Sequence, residues 1–407
     1  MMFDKKVCVI GLGYIGLPTA ALLARSGFDV LGVDVAEHVV DTINQGRIHI
    51  VEPDLDLFVQ NAVTSGKLKA YRTPKPSDIY MICVPTPFHK SGEVPQPNLD
   101  FVLAATRSIA PLLKVGDCVI LESTSPVGTT EQLADTLTNE GVDVSALHIA
   151  YCPERVLPGK IMSELIENDR IVGGLTEEAA QVIGDFYRTF VCGEVLQTDA
   201  RTAEMCKLTE NSFRDVNIAF ANELSVICAK EGIDVWKLIK LSNRHPRVNI
   251  LQPGTGVGGH CIAVDPWFVV ARNPKEAQLI RKAREVNNYK TAWVIEQIRN
   301  AATGANKRGI KKPVIACLGL AFKPDIDDLR ESPAVHVVEA LLREAFDVVV
   351  VEPNIDDFDR FVMGSMPEIL EKADVIAILV RHKKFLIPEL KAALAFRGAL
   401  DFCGALE

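Results

Sequence analysis

The sequence predicts an α/β protein in which two doubly wound domains are joined by a helical middle domain, and three observations predict it. Through about residue 185, short β-branched runs alternate with longer helix-like stretches: VCVI, an Ala/Leu-rich segment, VLGVDV, then DIYMICVP, DCVILEST and HIAYCP. Such alternation is the mark of a parallel sheet covered by helices. From about 201 to 300 the β signal fades and long helical patterns take over, beginning RTAEMCKLTENSFRDVNIAFANELSVICAKEG. After GANKRGIKKP at 304–313, a basic, glycine-containing stretch read as a linker, the β-rich alternation returns in VIACLGLAF, VVVVEP, VIAILV and GALDF. The expected domains are 1–195, 196–303 and 304–407. The two α/β halves share a pattern without a repeat that aligns by eye.

Composition fits this architecture. At 407 residues the chain is long enough for two or three domains. Its 48% hydrophobic and 24% charged residues are those of a globular enzyme. The net charge of −9, without a basic block or Arg-aromatic interleaving, argues against a nucleic-acid partner. An anionic small ligand stays open, because local arginines decide that. MMFDKKVCVIGLGYIG runs into a strand without the regions of a secretory signal. No apolar stretch reaches the roughly 18 residues of a membrane span, so the expected location is cytoplasmic, with no membrane partner. The ten cysteines are scattered, without C-x-x-C or zinc spacing. Nine of them read as small buried hydrophobes, and the tenth, Cys261, stands apart.

The first strand leads into Gly11-x-Gly13-x-x-Gly16 at the start of a helix, and Asp34 ends the next strand. Glycines in this pattern permit a tight turn, let the backbone approach a pyrophosphate and allow close helix-strand packing, and the helix N-terminus favours the anion. The expected cofactor is a dinucleotide on a Rossmann-like domain, with Tyr14 and Ile15 in the same loop. Asp34 suits the adenosine ribose hydroxyls and disfavours a 2′-phosphate, which selects NAD. It also fits a helix cap. Thr86 in CVPTP and Thr124 in ESTSPVG lie at carboxyl ends of strands, where ligands of open α/β sheets bind, although helix capping accounts for either alone.

Lys207, Asn211 and Arg214 are spaced i, i+4, i+7 and share one helix face, with Leu208, Val216, Phe220, Leu224 and Ile227 on others. A solvated surface fits that stripe. So does a site that binds phosphate and moves protons, because a partly desolvated lysine can serve as acid or base. In GTGVGGHCIAVDP, glycines at 254, 256, 258 and 259 approach Cys261, and Asp265 follows. Their lack of side chains lets the chain turn sharply and bring the sulfur and backbone N–H groups against a bulky substrate. His260 stands beside the thiol. His260 and His245 lack carboxylate partners at ligand spacing, and no metal is expected.

Together VIGLGYIGLP, ESTSPVG, YCPERVLPGK, EMCKLTENSFRD, GVGGHCIAVDP and LAFKPDIDDLRESP resemble the UDP-glucose/GDP-mannose 6-dehydrogenase family over nearly the whole chain. GRIHIVEPDL, TENSFRDVNIAFANELS and NRHPRVNILQPGTGVGGHCIAVDPWF are similar to the members that act on UDP-N-acetyl-D-mannosamine. The resemblance implies NAD-dependent, four-electron oxidation of a sugar C6 through a cysteine thiohemiacetal and thioester. It implies Cys261 as nucleophile, Lys207 and Asp265 as the acid/base and water-handling pair, Glu154 near the reacting carbon and Asn211 holding the oxygen of the intermediate. Arg155, Val156, Arg214, His245, Arg247, Gly258 and Lys323 match positions that hold the sugar nucleotide, to which Lys207 and Asn211 also contribute. Arg330 matches an arginine that reaches the NAD site. It also implies a UDP-binding third domain, a homodimer through the central helices, and a place in surface-polysaccharide precursor synthesis, such as that of enterobacterial common antigen. The UDP-glucose enzymes carry a second glutamate where this chain has Pro158, which weighs against glucose; UDP-N-acetylglucosamine or another nucleotide hexose stays open. The rival readings are a one-step β-hydroxyacid dehydrogenase, which has no use for Cys261 or a third domain, and a silent NAD-binding regulatory protein.

Overall fold

The computed structural model describes residues 5–89, 94–157, 159, 161–259, 261–307, 310, 312–355 and 358–407 together with Lys160, the side chains of 306 and 307 excepted. Two compact units are present, Met1–Thr209 and Glu210–Glu407.

In the first unit the strands are β1 (Lys6–Ile10), β2 (Asp29–Val33), β3 (Leu68–Tyr71), β4 (Ile79–Ile82), β5 (Phe88–His89), β6 (Gln96–Pro97), β7 (Cys118–Leu121), β8 (His148–Tyr151), β9 (Arg170–Gly174) and β10 (Val195–Asp199). The helices between them are α1 (Gly16–Arg25), α2 (Glu37–Asn44), α3 (Leu55–Thr64), α4 (Asp100–Ile109), α5 (Thr129–Asn139), α6 (Ile161–Glu167) and α7 (Glu177–Tyr187). The main sheet runs β10-β9-β8-β7-β4-β1-β2-β3. Successive residues of β1 point to opposite faces: Val7 and Val9 enter one apolar layer, Cys8 and Ile10 the other. Both faces are covered, which is why central strands such as β4 and β7 are apolar throughout.

One expectation needs correcting. The sheet is parallel from β8 to β3, but β9 pairs antiparallel with β8, and β10 runs alongside β9. Helix α6, with 7 residues, advances the chain only roughly 10 Å. The chain comes back in the opposite sense after it.

Helix α8 (Ala200–Glu231) has 32 residues and passes from one unit into the other. It is followed by α9 (Val235–Ser242), α10 (Asp265–Arg272) and α11 (Gln278–Lys307). The stretch expected as a linker therefore begins inside a helix, because α11 continues to Lys307; residues 304–307 contain no proline to stop it.

The C-terminal sheet contains β11 (Val314–Leu318), β12 (Asp347–Val351), β13 (Val375–Ile378) and β14 (Leu400–Asp401), in the order β12-β11-β13-β14 and parallel throughout. Its helices are α12 (Pro333–Arg343), α13 (Met366–Lys372) and α14 (Pro388–Phe396). This order repeats β2-β1-β4-β7 of the first sheet, and the repeat extends to atomic detail. Gly11 has φ +91° and donates to Val33 O at 2.8 Å; Gly319 has φ +93° and donates to Val351 O at 2.8 Å. The acid after the second strand accepts from the loop in both: Asp34 from Leu12 N at 3.1 Å, Glu352 from Leu320 N at 2.7 Å. The duplication is one of backbone construction, which is why sequence comparison by eye misses it.

Six of the cysteines, 8, 83, 118, 152, 228 and 317, are buried as expected; Cys206 and Cys403 are half-buried and Cys192 is exposed, so the expectation of nine buried thiols does not hold for those three. No helix among the described residues is long and apolar enough to cross a membrane.

Candidate active site

Each glycine of the first loop has its own physical reason. A Cβ on Gly11 would meet Cys83 O at 2.7 Å, in a left-handed backbone that disfavours side chains. A Cβ on Gly16 would stand 1.8 Å from Gly11 O, so helix and loop touch only through glycine. A Cβ on Gly13 would meet nothing within 4 Å, which leaves open the space a pyrophosphate backbone occupies. Helix α1 begins at Gly16 without a side-chain cap and without an acid in its first turn, so its N–H groups and dipole face that space. Tyr14 and Ile15 pack partly buried against the core. The Asp34 carboxylate accepts from Leu12 N at 3.1 Å and Ala36 N at 2.9 Å. Asp34 thus braces the glycine loop and does not cap a helix, since α2 starts after Ala36 without a side-chain cap bond. These residues fit a dinucleotide. Thr86 Oγ1 donates to Thr124 O at 2.6 Å, so the two threonines tie the loops after β4 and β7 together.

Glu154 lies after β8 in a buried network. Its Oε1 accepts from Arg155 N at 2.6 Å and its Oε2 from Arg170 Nη1 at 2.8 Å. Arg170 is 2% exposed and Glu154 6%; burial opposes the guanidinium charge, and Glu154 overrides it and raises the Arg170 pKa. Next to this pair, Glu122 accepts from Tyr187 OH at 2.6 Å and from Cys83 Sγ at 3.3 Å. Burial pushes the Glu122 carboxyl up to about 7, with Arg170 pulling it down and Glu154 adding to the rise. Two carboxylates thus share one guanidinium. Arg155 Nη1 donates to Asp169 O at 3.2 Å, and Val156 packs partly buried against the core.

The face of α8 is buried at its centre and open at its end. Lys207 is 9% exposed and Asn211 8%, whereas Arg214 is exposed. One turn before Lys207, Glu204 accepts from Gly128 N at 2.5 Å, Thr130 N at 2.8 Å and Thr130 Oγ1 at 2.7 Å. It supplies the N-terminal cap that α5 lacks, Gly128 having no side chain to offer.

In the second unit, Asn211 Nδ2 donates to Asp265 Oδ2 at 2.6 Å. Asp265 is 3% exposed and opens α10 beside Pro266. Cys261, half-exposed, accepts at its carbonyl from Val264 N at 2.9 Å and Asp265 N at 2.8 Å, so the thiol stands one turn ahead of that aspartate. The sequence reading assigns the glycines to clearance for substrate; the structure gives three of them a different reason. A Cβ on Gly256 would meet Thr291 Oγ1 at 2.3 Å, one on Gly258 would meet Glu331 O at 2.5 Å, and one on Gly259 would meet the Phe322 ring at 2.8 Å. The loop is glycine-rich because segment 322–333 and α11 lie against it. Gly259 N donates to Arg330 O at 3.0 Å, which locks this contact, and the Arg330 guanidinium is paired with Asp328 at 2.6 Å. Gly258 is thus packed closely against Glu331, Pro333 and Phe322. Lys323, in the same segment, is exposed.

His245 and Arg247 are exposed, with Arg247 N donating to His245 Nδ1 at 3.3 Å. His260 and Pro158 lie outside the described residues. A cavity of about 310 Å³ opens at the carboxyl ends of β11 and β13, lined by Thr255, Phe322, Pro333, Val380 and Arg381 among others. That is where ligands of open α/β sheets bind. Unlike Asp34, the second acid is closed off: Glu352 is 5% exposed and its Oε2 lies 3.2 Å from Nε2 of the buried His382.

Sequence reasoning missed Glu122, Glu204 and Arg170. Glu122 opens a quoted motif, so its signal is a carboxylate directly after the apolar run CVIL; the cue for Glu204 is the capless SPVGTT turn it serves.

Three family models match in chain order: the UDP-glucose/GDP-mannose dehydrogenase family NAD-binding domain over residues 5–191, the central domain over 201–289 and the UDP-binding domain over 316–404. The chain is 54% identical to a UDP-N-acetyl-D-mannosamine dehydrogenase of Campylobacter jejuni, covering 96% of this chain and 99% of that one. It is also 54% identical to an NDP-N-acetyl-D-galactosaminuronic acid dehydrogenase of Ralstonia nicotianae, covering 94% and 92%. The solved structure of UDP-D-ManNAc dehydrogenase from Pyrococcus horikoshii superimposes with a TM-score of 0.90 at 39% identity, covering 99% of this chain and 96% of that one. A glycine loop built for NAD, a cysteine one turn before a buried aspartate, and a second nucleotide-type sheet thus occur in the order in which three matching domains place them, and the chain belongs to the UDP-glucose/GDP-mannose dehydrogenase family of NAD-dependent nucleotide-sugar oxidoreductases.

Proposed function

We propose that the protein oxidises C6 of UDP-N-acetyl-D-mannosamine to the carboxylate of UDP-N-acetyl-D-mannosaminuronate, with Cys261 as covalent catalyst. The observation that carries this reading is the loop end in which Cys261 precedes Asp265 by one turn, while Asp265 is fastened to Asn211 at 2.6 Å. A one-step alcohol dehydrogenase needs no thiol there. The Campylobacter and Pyrococcus relatives favour the mannosamine sugar; the Ralstonia relative, equally identical, makes a nucleotide N-acetyl-D-galactosamine the second reading.

NAD supplies the hydride acceptor for both oxidations of C6. In the first, Lys207 or a water held by Asp265 takes the C6 hydroxyl proton as the aldehyde forms. The Cys261 thiolate then adds to the carbonyl carbon, a C–S bond forms, and the oxyanion of the thiohemiacetal is stabilised by Lys207 and by the second amide N–H of Asn211. Loss of the second hydride from C6 restores the carbonyl as a thioester. Water directed by Asp265 adds to it, the C–S bond breaks, and thiolate and carboxylate separate. One alcohol and one water yield one carboxylate, two NADH and three protons. Glu154, fixed by Arg170, stands near the reacting carbon. Arg155, Val156, Arg214, His245, Arg247, Gly258 and Lys323 hold the sugar nucleotide, and the cavity beside Phe322 and Arg381 receives its uridine. Arg330 serves the NAD site, together with Thr86 and Thr124. The three-domain division expected at 1–195, 196–303 and 304–407 is kept, with its boundaries moved past the ends of β10 at Asp199 and α11 at Lys307. The assembly is a homodimer through the central helices, in the cytoplasm, making a precursor of surface polysaccharide.

A panel of UDP- and GDP-hexoses supplied with NAD, with the product identified by mass, tests the assignment. UDP-N-acetyl-D-mannosamine is expected to be turned over at least tenfold more efficiently than UDP-glucose. A preference for UDP-glucose would overturn it.

A further inference from the structure

The loop that carries Cys261 is held at both ends by a single helix. Past the cysteine, Asp265 accepts from Asn211 Nδ2 at 2.6 Å. Ahead of it, Gly254 N donates to Asn222 Oδ1 at 2.9 Å. Asn211 and Asn222 are eleven residues apart on α8, three turns, so both project from one face and are separated by roughly 16 Å along the axis. Helix α8 is thus a rule against which the loop is laid.

Asn222 is itself fixed. Its Nδ2 donates to Asn287 Oδ1 at 2.9 Å; Asn287 Nδ2 donates to Asp215 Oδ1 at 2.7 Å, and Arg284 Nη1 donates to the same oxygen at 2.7 Å. The chain begins at a guanidinium that can only donate and ends at a backbone N–H that can only donate. Neither asparagine can flip without setting donor against donor. Asn222, Asn287 and Asp215 are each 0% exposed and Arg284 3%. Replacing such a buried ion pair by apolar side chains is often neutral or stabilising, whereas the directed chain from Arg284 to Gly254 N specifies one arrangement, even though Asp215 Oδ2 and Arg284 Nε have no hydrogen-bond partner among the described residues. Farther along, Thr291 Oγ1 donates to Thr255 O at 3.1 Å and Thr255 Oγ1 to Leu379 O at 2.6 Å, so the residue after Gly254 is fastened too.

We propose that Asn222 is a positioning residue for Cys261: with Asn211 it sets the span of loop 254–265 along α8, and Asn287, Asp215 and Arg284 orient its amide. The proposal rests on Cys261 being the nucleophile. A thiol displaced by about 1 Å loses its approach to the aldehyde at a cost of up to a hundredfold in rate, while binding of dinucleotide and sugar nucleotide is untouched.

Full-length Asn222→Ala, Asn222→Asp and Cys261→Ala are compared for kcat, both KM values and aldehyde captured from solution as a hydrazone. Asn222→Ala is expected to lower kcat at least tenfold, to leave both KM values within twofold, and to release aldehyde. Asn222→Asp keeps the acceptor for Gly254 N and, with its buried carboxyl protonated, a donor for Asn287 Oδ1, and is expected to recover to within threefold of the natural protein. Should Asn222→Ala not fold, Gly254→Pro deletes the same hydrogen bond from the loop side and is expected to show the same loss. Natural kcat without aldehyde release in a folded variant lacking this bond, alongside an inactive Cys261→Ala, overturns the positioning role. Natural turnover in Cys261→Ala overturns the nucleophile itself, and with it the premise of the proposal.

Discussion

Glu122 shows how one residue at a sheet end can carry a cost. Both oxygens are bonded, yet burial raises its pKa from 4.5 to about 7. A carboxyl whose pKa is higher folded than unfolded stabilises the fold only while protonated. The penalty begins as pH rises past about 4.5, is complete above about 7 and amounts to on the order of 3 kcal/mol. Glu122→Gln removes this titration. Thermal melts at pH 5 and pH 8 are expected to show the variant gaining on the natural protein at the higher pH; parallel melts at both would contradict the account. Residues whose chemistry is unusual for their position stood out in the sequence, as with Cys261 after its glycines and Asp265 four residues on. Glu122, Glu204 and Asn222 did not, because their partners, Tyr187, Thr130 and Gly254, lie 65, 74 and 32 residues away, and no local pattern records such a distance.

The pairing of α8 with α11 contains another buried charge. Lys290 is 2% exposed, donates to Ser225 Oγ at 2.6 Å and stands 4.1 Å from the Trp293 ring centre. Burial pushes its pKa down to about 7. A lysine lowered in the fold is penalised in full below that value, and the penalty fades as pH rises toward the unfolded value of 10.5. The indole face favours the cation and offsets part of this. Lys290→Met is expected to raise the melting temperature by several degrees at pH 7, with the gain shrinking by pH 10; a lower melting temperature at pH 7 would show that the Ser225 and Trp293 contacts outweigh the desolvation. Elements with strong periodicity were readable, including α8 and every central strand. The strands β9 and β10 were not, because RIVGG has two glycines and VLQTD is half polar. The end of α11 was misjudged because Gly304 is a helix residue with open space around it, tolerated where a linker was expected.

For the molecule as a whole, the exposed side of α8 bears on assembly. Phe213, Phe220 and Ile227 are 67%, 53% and 48% exposed and recur every seven residues, an apolar stripe on the side away from Asn211 and Asn222. Their exposure supports the proposed homodimer. Phe220→Glu is expected to convert a dimer to a monomer in light scattering at micromolar concentration, and a natural protein already monomeric there would contradict the proposal. The succession of strand-rich, helical and again strand-rich stretches was legible because helical and strand periods segregate along the chain. The duplicated glycine turn was not, because Gly319 and Glu352 repeat a conformation whose side chains differ. The proposed function rests on one chemical claim, that a thiol retains a half-oxidised sugar on the protein until a second hydride leaves. Counting NADH against sugar acid at the end of a limited-substrate reaction tests it most directly. The account predicts a ratio of two with no aldehyde in solution; a ratio of one, or aldehyde as the released product, would contradict it.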